Sequence, residues 1–204
     1  YMKRIRPFIG TDLIKVVTGI RRSGKSVMLE LIKQELIDSG VSSSQFISIN
    51  FEDMRYTHLQ TAKALYDEIS SRSAGIDGKI YLFFDEIQEV KDWEKCINSF
   101  RVALDCDIYI TGSNAKLLSG ELATYLAGRY VEFIVYPFSF AEFLELYHSV
   151  FPEETVQKSF QQYILYGGMP YLANIRYADE PSRQYLQDLF NSVQLKDIVK
   201  RNKI

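Results

Sequence analysis

The sequence predicts an α/β protein, a doubly wound parallel sheet flanked by helices and followed by a small C-terminal helical lid. Three observations predict it. A strand-like apolar run, residues 14–18, enters a glycine-containing loop that opens a helical segment. A second apolar run, residues 80–84, is unbroken, as expected of a central strand buried on both faces, and it ends in two acids, where open α/β sheets gather their ligand chemistry. Beyond residue 138 the strand-like runs stop, and apolar residues recur at spacings of three and four.

The first strand, residues 14–18, is followed by G-I-R-R-S-G-K-S over residues 19–26, which fits the phosphate-binding pattern G-x-x-x-x-G-K-[ST]. Gly19 and Gly24 let the backbone bend around an anion so that successive N–H groups point inward. The candidate phosphate contacts are therefore Gly19, Ile20, Arg21, Arg22, Ser23, Gly24, Lys25, Ser26 and Val27. Lys25 is expected to reach the β and γ phosphates, and Ser26 to offer its hydroxyl to Mg²⁺. The helix expected over residues 27–39 turns its positive dipole end to the same charge, and Gly40 caps it. The side chains of Arg21 and Arg22 are read as pointing away, for packing or pairing. An ordinary glycine-containing turn is the competing reading, and the strand, helix and cap around the loop count against it.

Residues 45–51 alternate apolar and polar side chains and read as the next strand, with Glu52 a turn acid in the simpler reading and a coupling residue in the other. The run 79–84 leads to Asp85 and Glu86. After a phosphate loop, such a pair reads as the Walker B acids: Asp85 to hold Mg²⁺ through its water shell, Glu86 to polarise the attacking water. Trp93, Cys96, Ile97, Phe100 and Leu104 mark a helix with one apolar face. A strand over 107–111 then runs into Gly112, Ser113 and Asn114. Asn114, or Ser113, is the candidate to contact both water and γ-phosphate, while a plain helix N-cap explains Ser113 nearly as well. A last strand is expected over 130–136.

From residue 139 three helical stripes follow: Phe140, Phe143, Leu144 and Tyr147; Val156, Phe160, Tyr163 and Ile164; Tyr185, Leu186, Leu189, Phe190 and Val193. The expected organisation is a core over residues 1–137 and a lid over residues 138–204. Gly167-Gly168-Met169-Pro170 reads as a sharp helix break.

Taken together, G-I-R-R-S-G-K-S, L-F-F-D-E-I-Q, I-T-G-S-N, L-A-G-R-Y and Y-P-F-S-F resemble the prokaryotic AAA+ ATPases of the archaeal-ATPase type, over most of residues 5–200. The resemblance implies a P-loop NTPase fold, an ATPase activity driving a conformational switch, and ATP with Mg²⁺ as ligands. It also implies that Asn114 is the sensor 1 residue and Arg129 an arginine finger, acting within the chain or on a neighbouring subunit of a homo-oligomer. A surface arginine ahead of the last strand is the competing reading of Arg129. No arginine near Gly167 matches a sensor 2 position. The choice of ATP over GTP rests on the resemblance, since no Asn-Lys-x-Asp guanine motif occurs, and an adenine slot is expected around residues 5–13.

With 204 residues, 47% hydrophobic content and a net charge of −2, the chain can bury one large core and an appendage and is not marked as a nucleic-acid binder. No apolar run approaches a membrane span and no secretory signal is visible, so a cytoplasmic protein without a membrane partner is expected. Cys96 and Cys106 lack metal spacing, and His58 and His148 are isolated. Tyr1 ahead of Met2, and an end without a helix stop signal, read as a fragment. Resembling proteins continue into winged-helix and nuclease-like regions that would contact DNA or a protein partner. Two other classes stay open: a non-hydrolysing ATP-binding module, regulatory or DNA-associated, and a P-loop kinase, against which the Asp85-Glu86 pair argues.

Overall fold

The computed structural model describes residues 1–112 and 125–193. The chain divides into two compact units, residues 1–18 with 25–134, and residues 19–24 with 135–204. In the first unit five strands form one parallel sheet: β1 (Ile14–Thr18), β2 (Phe46–Asn50), β3 (Ile80–Asp85), β4 (Cys106–Gly112) and β5 (Tyr130–Ile134), in the spatial order β2-β3-β4-β1-β5. Parallel neighbours cannot be joined by a tight turn, so helices make the crossings. After a short leading helix, α1 (Met2–Ile5), α2 (Lys25–Asp38) lies between β1 and β2 in the chain, α3 (Ala62–Ser73) between β2 and β3, and α4 (Trp93–Ala103) between β3 and β4.

Strand alternation sorts the core. Ile14, Val16, Ile47, Ile49, Leu82, Phe84, Ile108 and Ile110 pack with Leu65 and Ile69 of α3 and with Trp93, Cys96, Ile97 and Phe100 of α4. Burial of each such side chain stabilises the fold by about 1.5–3 kcal/mol relative to exposure. The expected stripe of α4 is thus core. The helix α3 was not anticipated, although Thr61 caps it through the Ala64 N–H at 3.3 Å and Leu65 and Ile69 give it a buried face. The alternate strand residues, among them Lys15, Val17, Phe83 and Tyr109, form the other face, where α2 contacts β4 and buries Met28, Leu29, Ile32 and Leu36.

That second face carries a sealed polar cluster toward the start of the strands. Lys15 and Asp107 form an ion pair with both side chains fully buried. Asp107 also accepts from the Gly10 N–H at 2.7 Å and the Tyr109 hydroxyl at 2.8 Å, and Lys15 donates to the Thr11 carbonyl at 3.0 Å. Burial lowers the Lys15 pKa against the opposing pull of Asp107, and burial raises that of Tyr109. The cluster ties the segment before β1 to the sheet.

The second unit holds α5 (Phe140–Val150), α6 (Val156–Tyr166), a 3₁₀ turn Pro170–Ala173 and α7 (Asp179–Val193). Ser139 and Glu142 form a capping box at the start of α5, and Thr155 caps α6. An aromatic core centres on Phe143, whose ring lies 5.2 Å from both Tyr147 and Tyr163 and 5.4 Å from Tyr177. The stripe expected on α6 splits: Tyr163 packs inward, while Val156, Phe160 and Ile164 stay exposed, because Ser159 takes the inner position, bonded to His148 and the Thr155 carbonyl. α6 ends at Gly167, whose backbone turns out of the helix with φ 72° and ψ −167°, and the next residue is held close to another segment. A Cβ on Gly168 would lie 2.0 Å from the Phe138 carbonyl oxygen, and the Phe138 N–H donates to the Gly168 carbonyl at 2.8 Å.

No helix among the described residues is long and apolar enough to cross a membrane. The Cys96 and Cys106 thiols are buried, and burial pushes them up to about 12 and about 11.

Candidate functional site

Three elements of the first unit deliver polar side chains to the C-terminal edge of the sheet. Asn50 ends β2, Asp85 ends β3, and Thr111 lies one residue from the end of β4; register and alternation put all three on the face that α2 covers. The Thr111 hydroxyl donates to Asp85 Oδ1 and accepts the Glu86 N–H at 3.0 Å, so one side chain fixes both acids. Asn50 Nδ2 donates to the other oxygen, Asp85 Oδ2, at 3.2 Å. Asp85 is 7% exposed, and no cation among the described residues pairs with it.

Glu86 is built differently. Its backbone lies in the left-handed region, φ 56° and ψ 47°, which costs a non-glycine residue about 1–3 kcal/mol and is typical of functional sites. The Thr111 bond to its N–H helps hold that turn. The carboxylate accepts from Gln88 Nε2 and stands 3.7 Å from Lys25 Nζ, within ion-pair range and beyond a hydrogen bond. Lys25, the first residue of α2, is buried to 5% exposure, whereas Ser26 and Val27 behind it are exposed. The helix therefore presents a buried amine and an exposed hydroxyl from its first turn, next to two carboxylates.

The residues 19–24 belong to the second unit. Gly19 is dictated by close approach: with φ 148°, a Cβ there would lie 2.2 Å from the Val135 carbonyl oxygen and 2.9 Å from Ser23 Oγ. The Ser23 N–H closes a turn on the Ile20 carbonyl at 3.2 Å, and its buried hydroxyl has no partner among the described residues. Arg22 is exposed with φ 67°, and its charge acts on the Tyr185 hydroxyl, whose pKa is raised by burial and lowered by Arg22.

Lys25, Asp85 and Glu86 are thus brought together, with Ser26 following Lys25 on α2. Arg129 is not. It precedes β5 at the opposite edge of the sheet, its N–H and carbonyl tied to Leu126 and Ile14, its guanidinium donating to Asn98 at 2.9 Å. Phe133 is the β5 residue level with Asp85, so at a rise of about 3.3 Å per residue Arg129 lies roughly 13 Å down the strands. Ser113 and Asn114 lie outside the described residues. The positions that sequence reasoning missed are Thr111 and Asn50. The available signal was their polar character at strand ends level with Asp85.

Residues 11–144 match a family model described as AAA domain. An uncharacterized protein of Haemophilus influenzae is 42% identical over 202 residues, 98% of this chain and 50% of its own length. One of Methanocaldococcus jannaschii is 32% identical over 199 residues, 94% of this chain and 43% of its own. The chain spans about half the length of these relatives. Among solved structures, AMPPCP-bound DnaA from Aquifex aeolicus is similar in fold, with a TM-score of 0.56 at 13% identity, covering 98% of this chain and 63% of that one.

Proposed function

Because the chain belongs to the AAA domain family, we propose that it binds ATP with Mg²⁺ and hydrolyses it to drive a conformational switch. One observation carries the reading: a buried lysine amine 3.7 Å from a glutamate held in left-handed backbone, beside a second buried carboxylate fixed by two neutral donors. The amine lies within ion-pair range of that carboxylate but beyond hydrogen-bond distance, so a phosphate oxygen can take it over, which frees the carboxylate for water.

In this reading Lys25 holds the β and γ phosphates, and the N–H groups of residues 19–27 line them. The Ser23 hydroxyl, buried without a partner among the described residues, fits an anion acceptor. Ser26 and Asp85 would hold Mg²⁺, Asp85 through water; the donor set of one hydroxyl and a carboxylate bonded, among the described residues, to the neutral donors Thr111 and Asn50 suits that hard ion. The metal supplies charge neutralisation across the phosphates. Glu86 orients the attacking water and receives proton density from it, with Thr111 fixing its backbone. Asn114 is assigned the second water contact. Arg129, on the other edge of the sheet, would serve only across a subunit boundary in a homo-oligomer. The lid, residues 138–204, would respond to the nucleotide exchanged, and the whole protein, with DNA or a second protein as partner, would read out the switch. DnaA bound to the ATP analogue AMPPCP supports the choice of nucleotide by likeness of fold.

The experiment is phosphate release from ATP by the whole protein, with Mg²⁺ or with a chelator, and without an added acceptor. Mg²⁺-dependent release is the expected result. Absence of ATP uptake by calorimetry, or appearance of the phosphoryl group on another molecule, contradicts the proposal.

A further inference from the structure

A cavity of about 420 Å³ opens in the first unit beside the proposed metal ligands. Ser26, Asn50 and Asp85 line it at the sheet edge, and Asp53, Arg55 and Tyr56 line it beyond the end of β2. Arg55 is the only cation among its described lining residues, amid acids that include Asp85 and Asp53. Its guanidinium is parked on Asp53, Nε at 2.9 Å and Nη2 at 2.5 Å from one carboxylate oxygen, and 5.8 Å from the Tyr56 ring. The Arg55 side chain is 79% exposed.

Resting on the ATP hydrolysis proposed above, we infer that Arg55 is a phosphate-reading arginine of this same chain, which leaves Asp53 for the γ-phosphate when ATP is bound. The energetics favour the exchange. A solvent-exposed ion pair is screened by water and salt and costs side-chain entropy to hold, so little keeps the guanidinium on Asp53. A phosphate offers a stronger, bidentate charge-assisted contact. Arg55 shares one cavity with Ser26 and Asp85, whereas Arg129 lies roughly 13 Å along the strands from their level. The 3₁₀ turn Met54–Leu59 that carries Arg55 begins four residues past Asn50, whose side chain holds Asp85, so the cation and the metal ligand share a support. A guanidinium there reads the γ-phosphate, since ADP has no group at that place.

The test uses Arg55→Ala, Arg55→Lys and Asp53→Asn in the whole protein, with equilibrium binding of ATP and ADP and phosphate release over a dilution series. Asparagine retains the capping oxygen at position 53. Arg55→Ala is expected to slow release about 10²-fold, the size of losing one preorganised donor to developing charge, equally at every protein concentration. It should weaken ATP several-fold and leave ADP unchanged, and Arg55→Lys should recover part of both losses. Asp53→Asn should tighten ATP relative to ADP. Release and ATP affinity within twofold of the parent in Arg55→Ala, with no gain in Asp53→Asn, overturn the inference while a turning-over parent keeps the hydrolysis reading. A parent that neither takes up nor hydrolyses ATP overturns that reading itself, and this inference with it.

Discussion

Two lysines of the first unit meet burial in opposite ways. Lys15 and Asp107 are both fully buried, and they bond further to Gly10, Thr11 and Tyr109. Lys25 is almost as buried, at 5% exposure, but its carboxylate partner is 20% exposed, 3.7 Å away and set on a left-handed backbone. The first pair is sealed inside one face of the sheet, whereas the second stands at the C-terminal edge of the sheet with its carboxylate partly exposed. Burial of charge alone therefore does not mark a candidate site; a partly exposed carboxylate on left-handed backbone at a strand end does.

The largest effect expected of this contrast is on stability. Lys15→Met leaves Asp107 charged and buried and should cost about 3–5 kcal/mol in urea unfolding, with nucleotide affinity of the folded fraction unchanged. Adding Asp107→Asn should recover most of that loss. A single-variant cost under about 1 kcal/mol would remove the distinction between the two lysines. Lys25→Ala should do the reverse, keeping stability and weakening ATP binding by roughly 1.5–3 kcal/mol, the range for hydrogen bonds to charged groups. Calorimetric titration with ATP checks it, and unaltered affinity would deny Lys25 its role.

Thr111→Val sharpens the site half of the comparison. It keeps the side-chain volume but strips Asp85 and the Glu86 N–H of a partner, so a loss of roughly 1–3 kcal/mol, shared between stability and turnover, is expected from thermal unfolding and phosphate release. Smallest is the alkaline response of the core. Cys96 and Cys106 are raised from 9.0 to about 12 and about 11, so the folded state keeps thiol protons that the unfolded chain releases. The associated stability is fully present below about pH 9 and is lost as pH rises through the folded values. A fall of about 1 kcal/mol from roughly pH 8.5 to 9.5 is expected, and replacing both cysteines with alanine should flatten that interval.

Most of the sheet was legible because each strand carries a local signal. The apolar run 14–18 became β1 and the run ending at Asp85 became β3, since parallel central strands are buried on both faces and need no partner to be recognised. The expected start of α2 at residue 27 falls two residues late, because Lys25 and Ser26 were read as loop although they already sit in its first turn. The helix α3 was missed because its buried face is short and interrupted by Lys63, Asp67 and Glu68 on the solvent side. In the site, Lys25, Asp85 and Glu86 follow from motif spacing. Thr111 and Asn50 do not, since their roles depend on which strands lie beside β3, a property of spatial order and not of any local pattern. For the same reason the pairing of Lys15 with Asp107, 92 residues apart, left no trace in the sequence pattern.

In the proposed reaction Glu86 acts on water and not on nucleotide binding. The most direct measurement is Glu86→Gln in the whole protein, with ATP affinity and phosphate release determined together. Retained or tighter ATP binding with release abolished is the predicted result; release equal to the parent's at equal affinity would contradict it.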